Sequence, residues 1–400
     1  MTSPGPSADP GADHPAPVAV SLDDGPPGPV AEAVAAAIRD VPRFGVDVDA
    51  TLGCALAIGT IVPPPSTDAR ARWEALATAA RADVAGARIL EPHLDALAIL
   101  SDAEDEERIS SAELARVGVG PASSWGVFAA EGNGMRLEAR PRADGLWSLS
   151  GVKPWCSLAE VVSHALVTAW TGPAERRLFA VAMRQPAVRP RSEGWVSRGL
   201  AQVRSAPVEF ADAVALPVGD DGWYLRREGF WWGGIGVAAC WWGGGLPLVE
   251  ALADAAARPD ADQFALSSYG AADARLWAAR AALADAARDA RASGDRAPHD
   301  HTPHDHAPHD HAPAGRPPTR VTAERVRAIV AAAAEDALSL ADRALGPGPL
   351  ASDEAHARRV SDLRMYLRQH HGERDLARLG GTLVRIRSDA GAGPEGEGSR

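Results

Sequence analysis

A tryptophan and a serine two residues apart are the side chains whose spacing best suggests chemistry. Trp155 and Ser157 end the stretch Gly145–Ser157, which alternates apolar and polar residues and contains a turn signal at Gly151. Alternation places side chains i and i+2 on the same face of an extended segment. A flat indole beside a hydroxyl group suits a flat heterocycle with ring nitrogens. The alternative is a hairpin that contains an ordinary buried tryptophan.

The same stretch resembles a segment of a known protein family. It follows the pattern Gly-x-Trp-x-Leu-x-Gly-x-Lys-x-Trp-x-Ser from Gly145 to Ser157. This is similar to the middle β-domain of the acyl-CoA dehydrogenase family. The resemblance implies that Trp155 packs against the isoalloxazine ring of FAD and that Ser157 hydrogen-bonds near N5. We expect Cys156, between them, to point to the opposite face.

The resemblance extends to a candidate base near the C-terminus. Arg359-Val-Ser-Asp362 resembles the Arg-x-x-Asp element of the family, whose catalytic Glu follows about eight residues later. No Glu-Gly-Thr turn is present here, and that spacing leads to His370 instead. An imidazole is an effective base at neutral pH, and related flavin monooxygenases use a histidine in this region. The alternative is a core histidine at a helix end. Glu373 is a second and weaker candidate, whose simpler interpretation is a solvated carboxylate.

Two further motifs of the family are altered in this chain. The earlier flavin loop is replaced by the stretch 128–134, where backbone groups of residues such as Phe128 and Ala130 remain available to a flavin. The Arg-x-x-Phe-Gly element, whose Arg meets the cofactor pyrophosphate of a partner subunit, is replaced by the stretch 264–270. Members of the family are homodimers or homotetramers, but that Arg is absent here.

Periodicity predicts an α+β protein in which a β-domain separates two helical domains. This is the acyl-CoA dehydrogenase-like arrangement: an N-terminal helical domain, a middle antiparallel β-domain built as a barrel or sandwich, and a C-terminal helical bundle. The predicted divisions are a disordered leader (1–29), the N-terminal helical domain (30–120), the β-domain (121–226), the C-terminal helical domain (227–387) with a disordered His-rich insert (292–320), and a disordered tail (388–400).

Cap residues predict the boundaries of the C-terminal helices. Thr322 is expected to cap one helix, which ends at Gly346, and Ser352 to cap the next. On that second helix His370 should face inward, with His371 rotated away by about 100°. In the N-terminal domain, Pro92 either kinks one long helix or begins a new one.

A glycine- and tryptophan-rich stretch, 230–249, is uncharged and long enough to span a membrane. Its tryptophans lie in the middle and form no interfacial belts, and glycine and Pro247 weaken a helix. We therefore expect a buried segment with close backbone approaches, which opens the C-terminal domain, and no membrane span.

The amino-acid composition bears on nucleic-acid binding, on the state of the cysteines and on metal binding. The net charge of −12 and the scattered basic residues argue against nucleic-acid binding. Three cysteines far apart predict reduced thiols in a cytoplasmic protein. Three Pro-His-Asp-His repeats in the insert contain ligands that suit Zn²⁺, Ni²⁺ or Cu²⁺. Because the repeats fix no geometry, we favour a solvated loop and predict no catalytic metal.

Three functions are compatible with the sequence. The resemblance implies a FAD-dependent dehydrogenase, in which a base removes a proton beside the carbonyl of an acyl thioester while hydride leaves the β-carbon for the flavin. An electron-transfer flavoprotein would then be the partner. The second is a flavin monooxygenase on the same fold, supplied by a flavin reductase. The third is a catalytically degenerate scaffold that binds a partner through its tryptophan-rich surface.

Overall fold

The computed structural model describes residues 16–191, 194–294 and 319–391. The helices in these ranges are Pro29–Arg39 (α1), Val48–Gly59 (α2), Pro65–Ala82 (α3), Val84–Asp105 (α4), Ser111–Ala115 (α5), Trp223–Arg226 (α6), Gly229–Ala256 (α7), Gln263–Gly294 (α8), Thr319–Leu345 (α9), Pro347–Ser352 (α10), Glu354–Tyr366 (α11) and Glu373–Gly391 (α12). The strands are Trp125–Phe128 (β1), Leu137–Pro141 (β2), Trp147–Ser157 (β3), His164–Trp170 (β4), Arg176–Ala182 (β5), Val188–Pro190 (β6) and Ser205–Val218 (β7). The chain therefore has the predicted order of helices, sheet and helices.

The β-domain is a closed sheet. Strands β2, β3, β7, β5 and β4 pair in a ring, with β1 added beside β4 and β6 beside β7. Most pairs are antiparallel, as predicted, but β4 runs parallel to both β1 and β2. Its core consists of inward-facing side chains such as Leu149, Val167 and Phe179, which are fully buried. The Trp155 segment forms the end of β3 in this barrel.

The turn predicted at Gly151 is not formed, because β3 continues through this residue. The strand is continuous from Trp147 to Ser157, and Gly151 pairs with Leu137 on one side and Phe210 on the other. Gly151 has a φ of 124°, and a side chain there would lie 2.1 Å from the carbonyl oxygen of Arg136. The glycine thus marks a close approach of two strands and no reversal of the chain.

The part of the predicted leader that the structure describes is ordered. The backbone N–H of Val20 donates to Thr78 of α3, and that of Leu22 donates to Glu74 of the same helix. Both apolar side chains are buried. The prediction of disorder is therefore wrong for residues 16–29, because alternate apolar side chains allow an extended segment to pack on α3. Residues 1–15 lie outside the described ranges.

Helix α7 contains the glycine- and tryptophan-rich stretch. It is the one helix in the described ranges that is long and apolar enough to cross a membrane, and 78% of its most apolar window is buried inside the protein. The helix packs against α3, where a side chain at Gly243 would lie 2.2 Å from the carbonyl oxygen of Ala77. This confirms the predicted close approach, although the glycines and Pro247 do not break the helix.

Several helix boundaries differ from the prediction. Helix α9 begins at Thr319, so Thr322 lies inside it, and Asp353, whose side chain accepts from the His356 N–H, caps α11 in place of Ser352. Pro92 lies inside the single helix α4.

Helices α8 and α9 extend into the predicted insert, of which 295–318 lie outside the described residues together with the histidine repeats. Helix α12 similarly continues to Gly391 within the predicted tail, and 392–400 are not described.

Candidate functional site

Trp155 lies on a bulge at the end of β3. The pairing register between β3 and β7 shifts between Lys153 and Cys156, and Trp155 has a left-handed φ of 59°. The indole is 56% exposed, whereas Cys156 and Ser157 are both buried. The predicted alternation of these three side chains is therefore wrong, because a bulge interrupts the period of two. The indole is nevertheless free of the core and presents a flat apolar face.

The loop after β1 is adjacent to the Trp155 segment. A side chain at Gly132 would lie 3.0 Å from the ring of Pro154. Glu131 of this loop accepts from Lys153 Nζ at 2.7 Å, and Thr168 Oγ1 accepts from the same ammonium at 2.9 Å. Burial lowers the pKa of Lys153, while Glu131 favours its charged form. This ion pair, formed by the only lysine in the sequence, anchors the loop beside the indole.

Of the two residues proposed in that loop, Phe128 is buried in the core of the barrel. Ala130 follows the end of β1 and is largely exposed. The structure therefore brings the stretch 129–134 next to the β3 bulge, as the interpretation of backbone contacts requires. The Phe128 side chain itself packs in the core of the barrel.

The Ser157 hydroxyl lies in a buried polar bridge. It forms a 2.7 Å hydrogen bond with Ser205 Oγ and accepts from Arg88 Nη2 at 3.1 Å. The side-chain amide of Gln369, with its oxygen turned toward Arg88, accepts from Nε and Nη2 at 3.1 and 3.2 Å. Arg88 also lies over the ring of Tyr366 at 5.7 Å. One guanidinium thus links the β-domain to the turn before α12.

A cavity of about 690 Å³ opens beside this bridge. It lies between α4, the start of α7, α9 and the beginning of α12, with Arg176 of β5 at its edge. Its volume falls in the range of roughly 300–1,000 Å³ typical of small-molecule sites. Gln369 belongs both to the bridge and to the cavity wall, so Ser157 is connected to the cavity through Arg88.

The cavity wall contains many charged side chains. Arg227 donates to Asp102 at 2.8 Å, but its Nε is buried with no acceptor among the described residues. Arg327 donates to the carbonyl oxygens of Gly234 at 2.7 Å and Gln369 at 3.3 Å. Burial lowers the pKa of Arg327. These cations offer hydrogen bonds to a ligand that carries oxygen atoms or negative charge.

Two carboxyl groups of α4 face the same cavity. Glu91 and Asp95 lie one helical turn apart and both line the wall. Burial raises the pKa of Glu91 to about 7, and its neighbours Arg88 and Asp95 act in opposite directions. Within the described ranges the Asp95 carboxylate has no hydrogen bond or ion pair. The cavity therefore contains a carboxyl group that can change its protonation state near neutral pH.

His370 and Glu373, the predicted bases, lie beside the cavity but do not line it. The His370 side chain is 12% exposed, packs edge-on to Trp241 with ring centroids 6.3 Å apart, and lies 4.0 Å from Asp375. Burial lowers its pKa. The His371 side chain is 65% exposed, which agrees with the predicted inward and outward directions. Glu373 is exposed at the start of α12.

The Arg359–Asp362 element connects α11 to the β-domain and to α3. Asp362 is buried and accepts the backbone N–H of Leu200 from the β-domain at 2.5 Å. Arg359 donates to the carbonyl oxygens of Ala80, Arg81 and Ala82 at the end of α3. These contacts fix α11, and therefore the turn that contains Gln369, against the rest of the molecule.

Sequence reasoning missed Arg88, Glu91 and Asp95. Their spacing was a usable signal, because polar residues at steps of three and four on an otherwise apolar helix share one face.

The sequence matches no protein-family model and no curated protein sequence. The structure, in contrast, is similar to several solved ones. FMN-bound TdsC from Paenibacillus sp. A11-2 is 19% identical with a TM-score of 0.71, covering 89% of this chain and 98% of its own. Nitrososynthase from Micromonospora carbonacea var. africana is 16% identical with a TM-score of 0.72, covering 91% and 99%.

Butyryl-CoA dehydrogenase from Megasphaera elsdenii is 16% identical with a TM-score of 0.69, and the match covers 90% of this chain and all of that enzyme. Such similarity over nearly the full length of each chain establishes the architecture, while the low identity leaves the reaction open. The chain has the acyl-CoA dehydrogenase fold.

Proposed function

We propose that this chain is a flavin-dependent oxidoreductase that acts on a small polar molecule in the cavity beside α4. The observation that carries the proposal is the Arg88 bridge, which connects Ser157 on the β3 bulge to Gln369 in the cavity wall. A cofactor at the bulge and a substrate in the cavity would then be neighbours. TdsC has been solved with FMN on this fold.

The residues at the bulge fit a flavin. The exposed indole of Trp155 offers a stacking face, and the backbone of the loop around Gly132 lies beside it. Ser157 is buried, and its hydrogen bonds with Ser205 and Arg88 would fix the end of β3 that presents the indole. A bound flavin supplies two-electron chemistry that these side chains lack. The chain itself would hold the ring, orient the substrate and exchange protons.

The charged wall supports a polar substrate. Buried cations such as Arg227 and Arg327 would be left without full compensation by a purely hydrocarbon acyl chain. Oxidation of a polar molecule by a monooxygenase-type reaction is therefore the form we favour. TdsC is described as a dibenzothiophene monooxygenase, and the Micromonospora enzyme as a nitrososynthase. In this form a separate reductase would supply the reduced flavin.

Dehydrogenation of an acyl thioester is the second candidate. The observation in its favour is the Glu91 carboxyl group in the cavity, because such a reaction needs a base near the substrate carbonyl. FAD would be the cofactor and an electron-transfer flavoprotein the acceptor of its electrons. The altered stretch 264–270 lacks the Arg that meets the cofactor pyrophosphate in the family motif, which counts against this form.

The visible spectrum of the purified protein, followed by FMN and FAD titrations under oxidising and reducing conditions, tests the proposal. Trp155→Ala should weaken flavin binding at least about fivefold, because stacking and packing of an aromatic ring contribute roughly 1 kcal/mol or more. Trp277→Ala removes an equally exposed tryptophan from α8 and is the matched control.

Oxygen consumption in the presence of a flavin reductase would support the monooxygenase form. Anaerobic bleaching by an acyl-CoA would support the dehydrogenase form. A folded protein that binds neither flavin in either redox state would refute both and leave a non-catalytic scaffold.

A further inference from the structure

Glu91 is a carboxyl group of α4 in the wall of the cavity. It lies one turn after Arg88 on α4, its side chain is 12% exposed, and it lines the cavity. Its ion pair with Arg88 is long, at 3.4 Å, because the guanidinium directs its other N–H groups to Ser157 and Gln369. The carboxyl group is therefore only partly compensated, and it faces the space a ligand would fill.

Among the described residues, the titratable groups that interact electrostatically with Glu91 lie on six helices. They are Arg72 of α3, Arg88 and Asp95 of α4, Tyr224 of α6, Cys240 of α7, Arg327 of α9 and Tyr366 of α11. Two of these cations are engaged elsewhere, since Arg72 donates to the Pro63 carbonyl oxygen and Arg327 to those of Gly234 and Gln369. Asp95 adds a like charge one turn away. Burial outweighs the attraction of the arginines, which is why the pKa of Glu91 is raised to about 7.

We propose that the Glu91 carboxyl group exchanges a proton with the ligand in this cavity and does the acid–base work that the sequence assigned to His370. In one direction the O–H bond of Glu91 breaks as a new bond to hydrogen forms on the ligand, and in the other direction the carboxylate takes the proton back. His370 and Glu373 do not line the cavity, whereas Glu91 does. This inference rests on the proposed function, because it needs a substrate at this position.

Infrared difference spectroscopy across pH 6–8 tests the carboxyl group without any cofactor. The wild-type protein should show a protonated-carboxyl band that disappears as the pH rises through about 7. Glu91→Gln should lack this band, while Glu91→Asp should keep a titrating band. The matched control is Glu107→Gln, which removes an exposed carboxylate and should leave the band intact. A Glu91→Gln spectrum identical to that of the wild type would overturn the inference.

The second measurement uses photoreduced FMN at the β3 bulge as the probe, with O₂ as the molecule in the adjoining cavity that must gain a proton. Its oxidation by O₂ consumes one proton (FMNH⁻ + O₂ + H⁺ gives FMN + H₂O₂), and the rate is followed with protein in excess between pH 6 and 9. Loss of a proton-transfer group lowers rates by roughly 10²–10⁴-fold, so Glu91→Gln should slow the reaction and flatten its pH profile, with unchanged affinity for FMN. Glu91→Asp should restore part of the rate.

The outcomes separate the two proposals. If the wild-type protein binds FMN and Glu91→Gln keeps both the rate and the pH profile, the role of Glu91 is refuted and the proposed function stands. If the wild-type protein binds no flavin, both are refuted.

Discussion

Trp155 lies on a bulge at the end of β3, where its side chain is exposed while that of Ser157 is buried. The spacing of Gly145–Ser157 led to this residue, and the indole is indeed available to a ligand. The alternation that was expected to align it with Ser157 is interrupted by a bulge. Local sequence does not show where β7 shifts its register against β3, because that shift depends on a strand more than 40 residues away. A left-handed φ at a non-glycine residue is similarly invisible in the sequence.

The Glu91 carboxyl group predicts a pH dependence of stability. Its folded-state pKa is raised to about 7 from an ordinary value of 4.5, so the folded state binds more protons between these two values. The free energy of unfolding should therefore fall as the pH rises through this window, by at most about 3–4 kcal/mol at 1.36 kcal/mol per pKa unit.

Glu91→Gln should remove this loss, and urea unfolding of both proteins at pH 5 and pH 8 measures it. The variant should match the wild type at low pH and exceed it at high pH. A wild-type protein whose stability relative to Glu91→Gln is the same at both pH values would contradict the raised pKa.

Arg88 can be tested by a substitution that keeps its charge. The lysine ammonium is a compact charge and lacks the planar set of N–H donors of a guanidinium. Arg88→Lys therefore cannot hold Ser157 and Gln369 at the same time. We expect about 1–3 kcal/mol of destabilisation, because polar groups are left unpaired in a buried site, together with weaker flavin binding. Arg116→Lys, at an exposed arginine that donates to the Asp144 carbonyl oxygen, is the control in the same unfolding experiment. Equal stability of the two variants would show that the bridge contributes little.

At the scale of elements, the order of helices and strands was predictable, but some of their ends were not. Ser352 and Asp353 are adjacent and both able to cap a helix, so composition alone does not decide that Asp353 accepts from the His356 N–H. The leader was misjudged because its composition is that of disordered chains, although Val20 and Leu22 alternate well enough to pack. Helix α7 was correctly expected to be buried, since its glycines permit the close approach of α3.

Two glycine substitutions separate packing from helix propensity. A side chain at Gly243 of α7 would meet the backbone of Ala77, whereas one at Gly270 of α8 would meet nothing within 4 Å. Gly243→Ala should therefore destabilise the protein by about 1–3 kcal/mol through overpacking. Gly270→Ala should stabilise it by roughly 0.5–1 kcal/mol, because alanine loses less backbone entropy in a helix. Thermal or urea unfolding compares the pair, and a stabilising Gly243→Ala would show that α3 and α7 can move apart at no cost.

At the scale of the whole molecule, the site depends on the contacts that join the N-terminal helices, the β-domain and the C-terminal helices. Asp362 links α11 to the β-domain through the Leu200 N–H, and Arg359 links the same helix to α3. Asp362→Ala removes a buried charged acceptor near Arg358 and Arg359, and we expect a loss of about 3–5 kcal/mol. The control is Asp336→Ala, which breaks the exposed ion pair with Arg275 and should cost about 1 kcal/mol or less.

Because α11 positions the turn that contains Gln369, Asp362→Ala should also weaken flavin binding although Asp362 lies outside the cavity wall. Urea unfolding followed by tryptophan fluorescence gives the stability, and a flavin titration well below the unfolding midpoint gives the affinity. If the blocks form one cooperative unit, the wild type should unfold in a single transition and the variant in one of lower midpoint. A variant that unfolds in two steps, with the β-domain retaining its stability, would show that the helical domains and the barrel are coupled too weakly for this contact to hold the site together.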